Sequence, residues 1–270
     1  MKDLTGKNIV VTGAAMGIGK HICSFLAKEK ANLAIIDINR AKLNVVEKEL
    51  SSHDIKVKSY ICDISKRTDI ESTGKKIIKD FKNIDILINN AGVAIGNTIL
   101  DSTFSDLKST MDINFIGLAW MTRQFLPGMV KNNDGHIVNI SSAMGLLGVP
   151  KMSAYSASKF AIIGYTDTLR MEMKKYGHRG IKTTIVCPSG INTGMFSGYK
   201  PPFLSPLLDQ TELAKKIVRA IKKEKTYLKL PFMVKMVPFI KGLPAVFVDW
   251  LAEILGSSKC MDHYTGKKDK

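Results

Sequence analysis

The sequence predicts an α/β protein with one parallel, doubly wound sheet covered by helices on both faces. Three observations carry that reading. Short runs rich in β-branched residues alternate with longer amphipathic stretches. No linker-like tract rich in Pro, Gly or Ser interrupts residues 8 to 188. A glycine-rich turn follows the first run. Strands that alternate with helices pair in parallel and need cover on both sides, and right-handed crossovers wind them into one domain.

The strands expected in order are "NIVVT" (8–12), "NLAIID" (32–37), "VKSYICD" (57–63), "IDILINN" (84–90), "GHIVNIS" (135–141) and "KTTIVCP" (182–188), each followed by a helical pattern. After Pro188 the chain reads "SGINTGMFSGYKPPFLSPLLDQ" before a helix begins near Thr211. This connection is longer and more apolar than a strand-to-helix link needs, so it reads as a lid over a site. From Tyr227 onward "YLKLPFMVKMVPFIKGLPAVFVDWLAEIL" is strongly apolar but broken by lysines and prolines, too interrupted for a membrane span. The expected organisation is a single doubly wound domain over residues 1–230, then an apolar helical extension and basic tail over 231–270.

Composition narrows the function classes. Hydrophobic residues make up 45% of the chain, which excludes a disordered protein. The formal charge of +16 favours anionic partners. Most of it is lysine spread along helices, and no basic block carries interleaved aromatics, so a solvated basic surface is expected rather than a nucleic-acid site. Cys23, Cys62, Cys187 and Cys260 form no CxxC pair and the five histidines show no HExxH spacing, so no metal site or disulfide scaffold is expected. The opening "MKDLTGKNIVVTG" runs straight into a strand, from which neither a signal peptide nor an amino-terminal span is expected. The closing "KKDK" has the form of a dilysine retrieval signal, a pattern that lysine-rich ends also meet by solvation alone.

Two constellations suggest chemistry. In "VVTGAAMGIG", Gly13, Gly17 and Gly19 sit where a strand turns into a helix, so backbone amides can meet a pyrophosphate. The spacing is GxxxGxG rather than GxGxxG, and its context strengthens it. The second strand ends at Asp37, where a carboxylate accepts hydrogen bonds from ribose hydroxyls and repels a 2′-phosphate, favouring NAD over NADP. Arg40 and Lys42 nearby leave NADP open. Asp63, ending the third strand, suits either an adenine contact or an ordinary acidic turn. "NNAG" (89–92) closes the fourth strand at the ligand-binding edge of such sheets. In "AYSASKFA", Tyr155 and Lys159 lie four apart on one helical face.

"TGAAMGIG", "NNAG", Asn114, the serines of "IVNISS" and "YSASK", in this order, make the chain resemble the short-chain dehydrogenase/reductase family over roughly residues 5 to 230. The resemblance implies a Rossmann fold with a seven-stranded parallel sheet. It implies Tyr155 as general acid/base, Lys159 as its partner, Ser142 as the substrate-orienting hydroxyl, Asn114 as proton relay and Ser141 as structural. "PSGINT" is similar to the family's PGxxxT, with Ser189 in place of glycine. The cofactor contacts expected are Gly13, Gly17, Ile18, Gly19, Asp37, Asp63, Ile64, Asn90, Ala91, Gly92, Tyr155, Lys159, Pro188, Ile191 and Thr193. The tail and "MDHYTGK" look like the branch containing retinol and hydroxysteroid dehydrogenases.

The implied reaction interconverts an alcohol and its ketone or aldehyde with NAD(P). A phenol normally holds its proton at neutrality, and releasing it there takes about 4 kcal/mol of preferential phenolate stabilisation. An ammonium about 4 Å away at an effective dielectric of about 20 supplies energy of that order, and the positively charged oxidised nicotinamide adds to it, so Lys159 is expected to suffice for lowering the Tyr155 pKa. Met195 and Phe196, with Tyr199, Phe203 and Leu204, point to a lipophilic substrate of steroid, retinoid or fatty type. A catalytically silent NAD-sensing protein and an NADP-dependent reductase of small ketones are the alternatives. By analogy the chain forms a homodimer or homotetramer. It is expected in the cytoplasm, and its apolar extension fits a peripheral membrane contact, a pocket cover or a subunit contact equally.

Overall fold

The computed structural model describes residues 3–266; the "KKDK" end lies outside them. Seven strands form one parallel sheet: β1 (Asn8–Thr12), β2 (Asn32–Asp37), β3 (Val57–Ile61), β4 (Ile86–Asn89), β5 (Gly135–Ile140), β6 (Ile181–Pro188) and β7 (Tyr227–Leu230). Their order is β3-β2-β1-β4-β5-β6-β7. The central strands are buried on both faces, as a sheet sandwiched between helices requires, whereas the edge strands β3 and β7 are half-exposed.

Helices α1 (Gly17–Lys28), α2 (Arg40–Leu50), α3 (Arg67–Phe81), α4 (Phe104–Met111), α5 (Gly117–Asn132), α6 (Ser153–Lys175) and α7 (Gln210–Lys222) cross between strands. Their apolar stripes divide the core in two. Ile22 and Leu26 of α1 and Ile217 and Ile221 of α7 pack with Val11, Ile35 and Val138 on one face of the sheet. Ile77 of α3, Met121 and Phe125 of α5 and Leu169 of α6 pack with Val10, Ile36 and Ile137 on the other. Caps fix the starts of several crossovers: Asp209 accepts from the Glu212 amide to begin α7, and Thr103 and Asp106 form a reciprocal capping box on α4.

The strand order reverses direction between β1 and β4, so the loops leaving their carboxyl ends diverge and open a crevice there. Behind it a buried polar ladder fixes the helices on the sheet. Asn89 Nδ2 donates to Thr122 Oγ1 (3.2 Å) and Asn139 Oδ1 (2.8 Å), and Asn139 Nδ2 donates to Thr166 Oγ1 (2.8 Å). Side chains of β4, β5, α5 and α6 thereby bond one another inside the fold, although Asn89 Oδ1 is left without a partner.

All six strands expected from sequence form. β3 ends at Ile61, β4 ends at Asn89 because Asn90 leaves the ladder to bind the glycine turn, and β5 ends at Ile140, each short of the expected run. The seventh strand is "YLKL", a stretch the sequence offered only as the start of an apolar tail. After it come α8 (Phe232–Ile240) and α9 (Ala245–Ile254). Among the described residues no helix is long and apolar enough to cross a membrane. The four cysteines are buried and free.

Candidate active site

One cavity of about 890 Å³ opens over the carboxyl ends of the strands. Its floor is set by the join between β5 and α6. β5 ends at Ile140, and Ser141 and Ser142 continue it toward the cavity. Ser141 Oγ donates to the Lys159 carbonyl (2.9 Å), while Lys159 Nζ donates back to the Ile140 carbonyl (2.9 Å). This reciprocal pair places Ser142, Tyr155 and Lys159, all buried, on one wall. The ammonium lies 5.5 Å from the Tyr155 ring centre, and the Ser142 hydroxyl, which accepts from the Met144 amide (3.1 Å), draws the phenol's pKa down.

Asn114 is one layer deeper and does not line the cavity. It sits in a π-helical turn, Asp112–Ile116, between α4 and α5. Its Oδ1 accepts from the Val93 amide (2.8 Å), and its Nδ2 donates to the Val93 carbonyl (2.9 Å) and Ser158 Oγ (3.0 Å). The wider turn bulges this side chain off the regular helical path toward the strand-4 loop.

At the other end lies the glycine-rich turn. Gly13 has φ +66° and a Cβ there would come 2.8 Å from the Ala91 Cα. A Cβ on Gly19 would come 2.0 Å from the Gly13 carbonyl oxygen, so this residue packs the turn from behind and does not face the cavity. Asn90 pins the turn through its side-chain amide to the Thr12 and Gly13 carbonyls (3.0 and 3.1 Å). The N-cap of α1, Met16, supplies no side-chain acceptor, which leaves the first amides of the helix to an anion.

Asp37 holds this region with both oxygens, accepting from the Ala15 amide (3.0 Å) and the Asn39 amide (2.9 Å). A carboxylate has about four lone-pair positions, so capacity for further donors remains. Asp63 shows the acidic-turn role: it accepts from the Ser65 amide and hydroxyl (3.0 and 2.7 Å). Burial pushes its pKa up, but the Ser65 bonds and Lys66 outweigh that and hold it low. Both still face the cavity, as do Gly17, Ile18, Ile64, Asn90, Ala91, Gly92, Pro188, Ile191 and Thr193. Ser189 needs no left-handed backbone; its amide donates to the Leu230 carbonyl (2.8 Å), so the substitution for glycine leaves the turn intact.

The substrate end is apolar. Met195, Phe196, Tyr199 and Phe203 line it, while Leu204 turns out to solvent at φ +61°, a correction to the expected lid lining. The sequence did not mark the rest of that wall. Val234 and Val237 of α8 and Val248, Leu251 and Leu255 on and beyond α9 close the cavity. Their helical spacing was the available signal.

The electrostatics reverse one expectation. Burial pushes the Tyr155 phenol well above its usual value, and the Ser142 hydrogen bond only partly opposes this. Burial also lowers Lys159 to about 8. In the protein alone the low-dielectric wall therefore outweighs the attraction expected between ammonium and phenolate.

A short chain dehydrogenase pattern matches residues 7–202. The chain belongs to the short-chain dehydrogenase family. Members of this oxidoreductase family act on CH–OH groups with NAD(P), and this chain is such an enzyme. It is 37% identical to mouse epidermal retinol dehydrogenase 2 over all of its own length and 88% of that protein. Human estradiol 17-beta-dehydrogenase 11 is 33% identical, with 94% of this chain and 83% of that one aligned. A short-chain dehydrogenase/reductase from Burkholderia phymatum, solved in complex with NAD, superposes at a TM-score of 0.81 with 26% identity, covering 90% and 95% of the two chains. These likenesses place the chain in the retinol and hydroxysteroid dehydrogenase-like branch of the short-chain dehydrogenases.

The buried ammonium gives a measurable cost. The folded-state pKa of Lys159, about 8, lies below its ordinary 10.5, so the charged form opposes folding fully below pH 8 and progressively less as pH rises toward 10.5. Lys159→Met should raise stability at pH 7 by about 2 kcal/mol, taking about 3 from the relieved charge and losing about 1 with the hydrogen bond to Ile140. Denaturant unfolding at pH 7 and pH 10 checks this; a destabilised variant, or an equal gain at both pH values, contradicts it.

Proposed function

We propose that this short-chain dehydrogenase interconverts a lipophilic alcohol and its carbonyl, with Tyr155 as general acid/base. The observation that carries the reading is the convergence of Tyr155, Ser142 and Lys159 on one wall of a cavity that joins the glycine turn to an apolar chamber. Steroid-, retinoid- or fatty-type substrates suit that chamber, and the names of the retinol and estradiol dehydrogenase relatives point the same way.

The dinucleotide end fits its cofactor. Tight glycine packing, uncapped amides on α1 and a carboxylate at Asp37 suit a pyrophosphate and a ribose. When bound, a nicotinamide nucleotide supplies or accepts the hydride. Ser142 holds the reacting oxygen by a hydrogen bond beside the phenol. Tyr155, kept protonated by burial, is already an acid for carbonyl reduction and hands its proton to the developing alkoxide. In the oxidative direction the phenol must first lose that proton. The Lys159 ammonium, which with a pKa of about 8 is still mostly protonated at pH 7, stabilises the phenolate, and the positive charge that an oxidised nicotinamide would bring when bound adds to it. Asn114 holds the Val93 backbone and Ser158 beneath the floor, and the proton-relay role that the family resemblance implies for it is part of this proposal.

We read the outer surface of α8 and α9 as a peripheral contact with anionic membrane. Phe232 and Phe239 on α8 and Val246, Trp250 and Ile254 on α9 are exposed, beside exposed Lys235 and Lys241. Apolar side chains flanked by lysines suit an interface with acidic headgroups. Phe104 and Leu107 on α4 are exposed as well, and we assign that face to self-association as a dimer or tetramer.

Tyr155→Phe should abolish turnover of lipophilic alcohols, at least about 1000-fold in kcat, while NADH binding by fluorescence stays near wild type; an active Phe variant removes the assignment. Asp37→Ala should erase a preference for NAD over NADP in kcat/KM, and an unchanged ratio rejects that role. For the membrane contact, cosedimentation with vesicles containing phosphatidylserine should exceed that with phosphatidylcholine alone and drop in Phe239→Ser/Trp250→Ser. Equal recovery in both supernatants rules it out.

A further inference from the structure

Residues 260–266 lie far from every motif of the catalytic domain, yet they run across the cavity lid. The Lys200 amide donates to the Cys260 carbonyl (2.9 Å), the Thr265 amide to the Ser197 carbonyl (3.0 Å), and Ser197 and Gly266 form an antiparallel bridge. Cys260 and Met261 are buried in a small cluster with Met144, Met152 and Tyr155. Tyr264 closes the arrangement. Its hydroxyl donates to the Ala94 carbonyl in the loop after β4 (2.8 Å) and approaches the Met195 carbonyl in the lid (3.4 Å).

The seat of that ring is built into the backbone. A Cβ on Gly96 would lie 2.5 Å from two Tyr264 ring carbons, and one on Gly198 would lie 1.7 Å from the His263 carbonyl oxygen. Only residues without side chains let the tail lie this close. The Tyr264 ring meets Phe196 at 6.4 Å between centroids, and Phe196 stands edge-on to Tyr155 at 5.8 Å. Tyr264 does not itself line the cavity, whereas Phe196 and Met195 do.

We infer that the carboxyl-terminal tail is a clasp on the lid and that Tyr264 is a positioning residue, setting through Phe196 the substrate wall beside Tyr155. The inference rests on the active-site reading proposed above. By tying the lid to the loop after β4, Tyr264 fixes the width of the apolar chamber. Substrates long enough to touch Phe196 depend on it, and small ones do not. A ring behind the wall cannot supply or take the proton, so its loss acts on substrate binding ahead of chemistry.

The test uses the full chain, with all-trans-retinol as the large probe and cyclohexanol as the small one. Tyr264→Phe keeps the ring and removes the hydroxyl bonds. It should raise KM for retinol about fivefold while kcat and KM for cyclohexanol stay within about twofold. Tyr264→Ala should lower the retinol-to-cyclohexanol ratio of kcat/KM by a further factor of about ten, with NADH affinity unchanged. Equal effects on both alcohols, or none, overturn the inference. Amide hydrogen exchange gives an independent readout: Lys200 and Thr265 should exchange faster in Tyr264→Ala than in wild type, and unchanged protection overturns the clasp. If wild type binds NADH but turns over neither alcohol, the substrate reading alone fails, and exchange still decides for or against the clasp.

Discussion

The site depends on the reciprocal contact between the end of β5 and the first turns of α6. Ser141 Oγ binds the Lys159 carbonyl and Lys159 Nζ binds the Ile140 carbonyl, so side chain and backbone of each partner serve the other. Because both bonds are buried, neither can be traded for water without leaving an unpaired group. The small residues of "YSASK" allow α6 to lie that close to the sheet. Once α6 is seated, Tyr155 has little freedom, because its ring packs with Met144, Met152 and Phe196. The same tightness removes water from phenol and ammonium, which moves both toward their neutral forms.

The sheet supplies the second constraint. Strand order reverses between β1 and β4, so the two adjacent loops part there, and the glycine turn and "NNAG" leave the sheet at that point. Asn90 turns back to bind the Thr12 and Gly13 carbonyls, so the two loops are one rigid unit rather than two flexible ones. The buried ladder of Asn89, Asn139 and Thr166 ties that unit to α6 from below. Cofactor end and reacting wall are therefore held in register by side chains of the strands between them.

Much of this was legible in the sequence, because periodicity reports burial and burial dictates the strands. The six β-branched runs all form, and nearly every motif residue faces the cavity. What the sequence hid is of three kinds. "YLKL" is too short and too mixed to stand apart from the apolar tail, and only pairing with β6 makes it a strand. Gly19 and Asn114 act from behind the wall, a distinction that depends on a close approach and on a π turn which no residue spacing reveals. The cost of burying the Tyr155 phenol and the Lys159 ammonium was not legible either, because a Coulomb sum over neighbouring charges leaves out the water removed from both groups.

The carboxyl-terminal helices show why apolar patterning alone could not assign the tail. α8 and α9 are apolar around most of their circumference, a pattern normally found where a helix is covered on all sides. Here Val234, Val237, Val248 and Leu251 face the cavity while Phe239, Val246, Trp250 and Ile254 face outward. One pair of helices thus lies between an apolar chamber and a surface rich in apolar side chains. Under the substrate and membrane readings proposed above, a lipophilic molecule leaving a bilayer at this surface would reach the chamber past side chains as greasy as itself. Its desolvation cost would then be met at the membrane rather than at Tyr155. The polar groups needed for chemistry stay concentrated at the far wall, where the join of β5 to α6 keeps them dry and fixed.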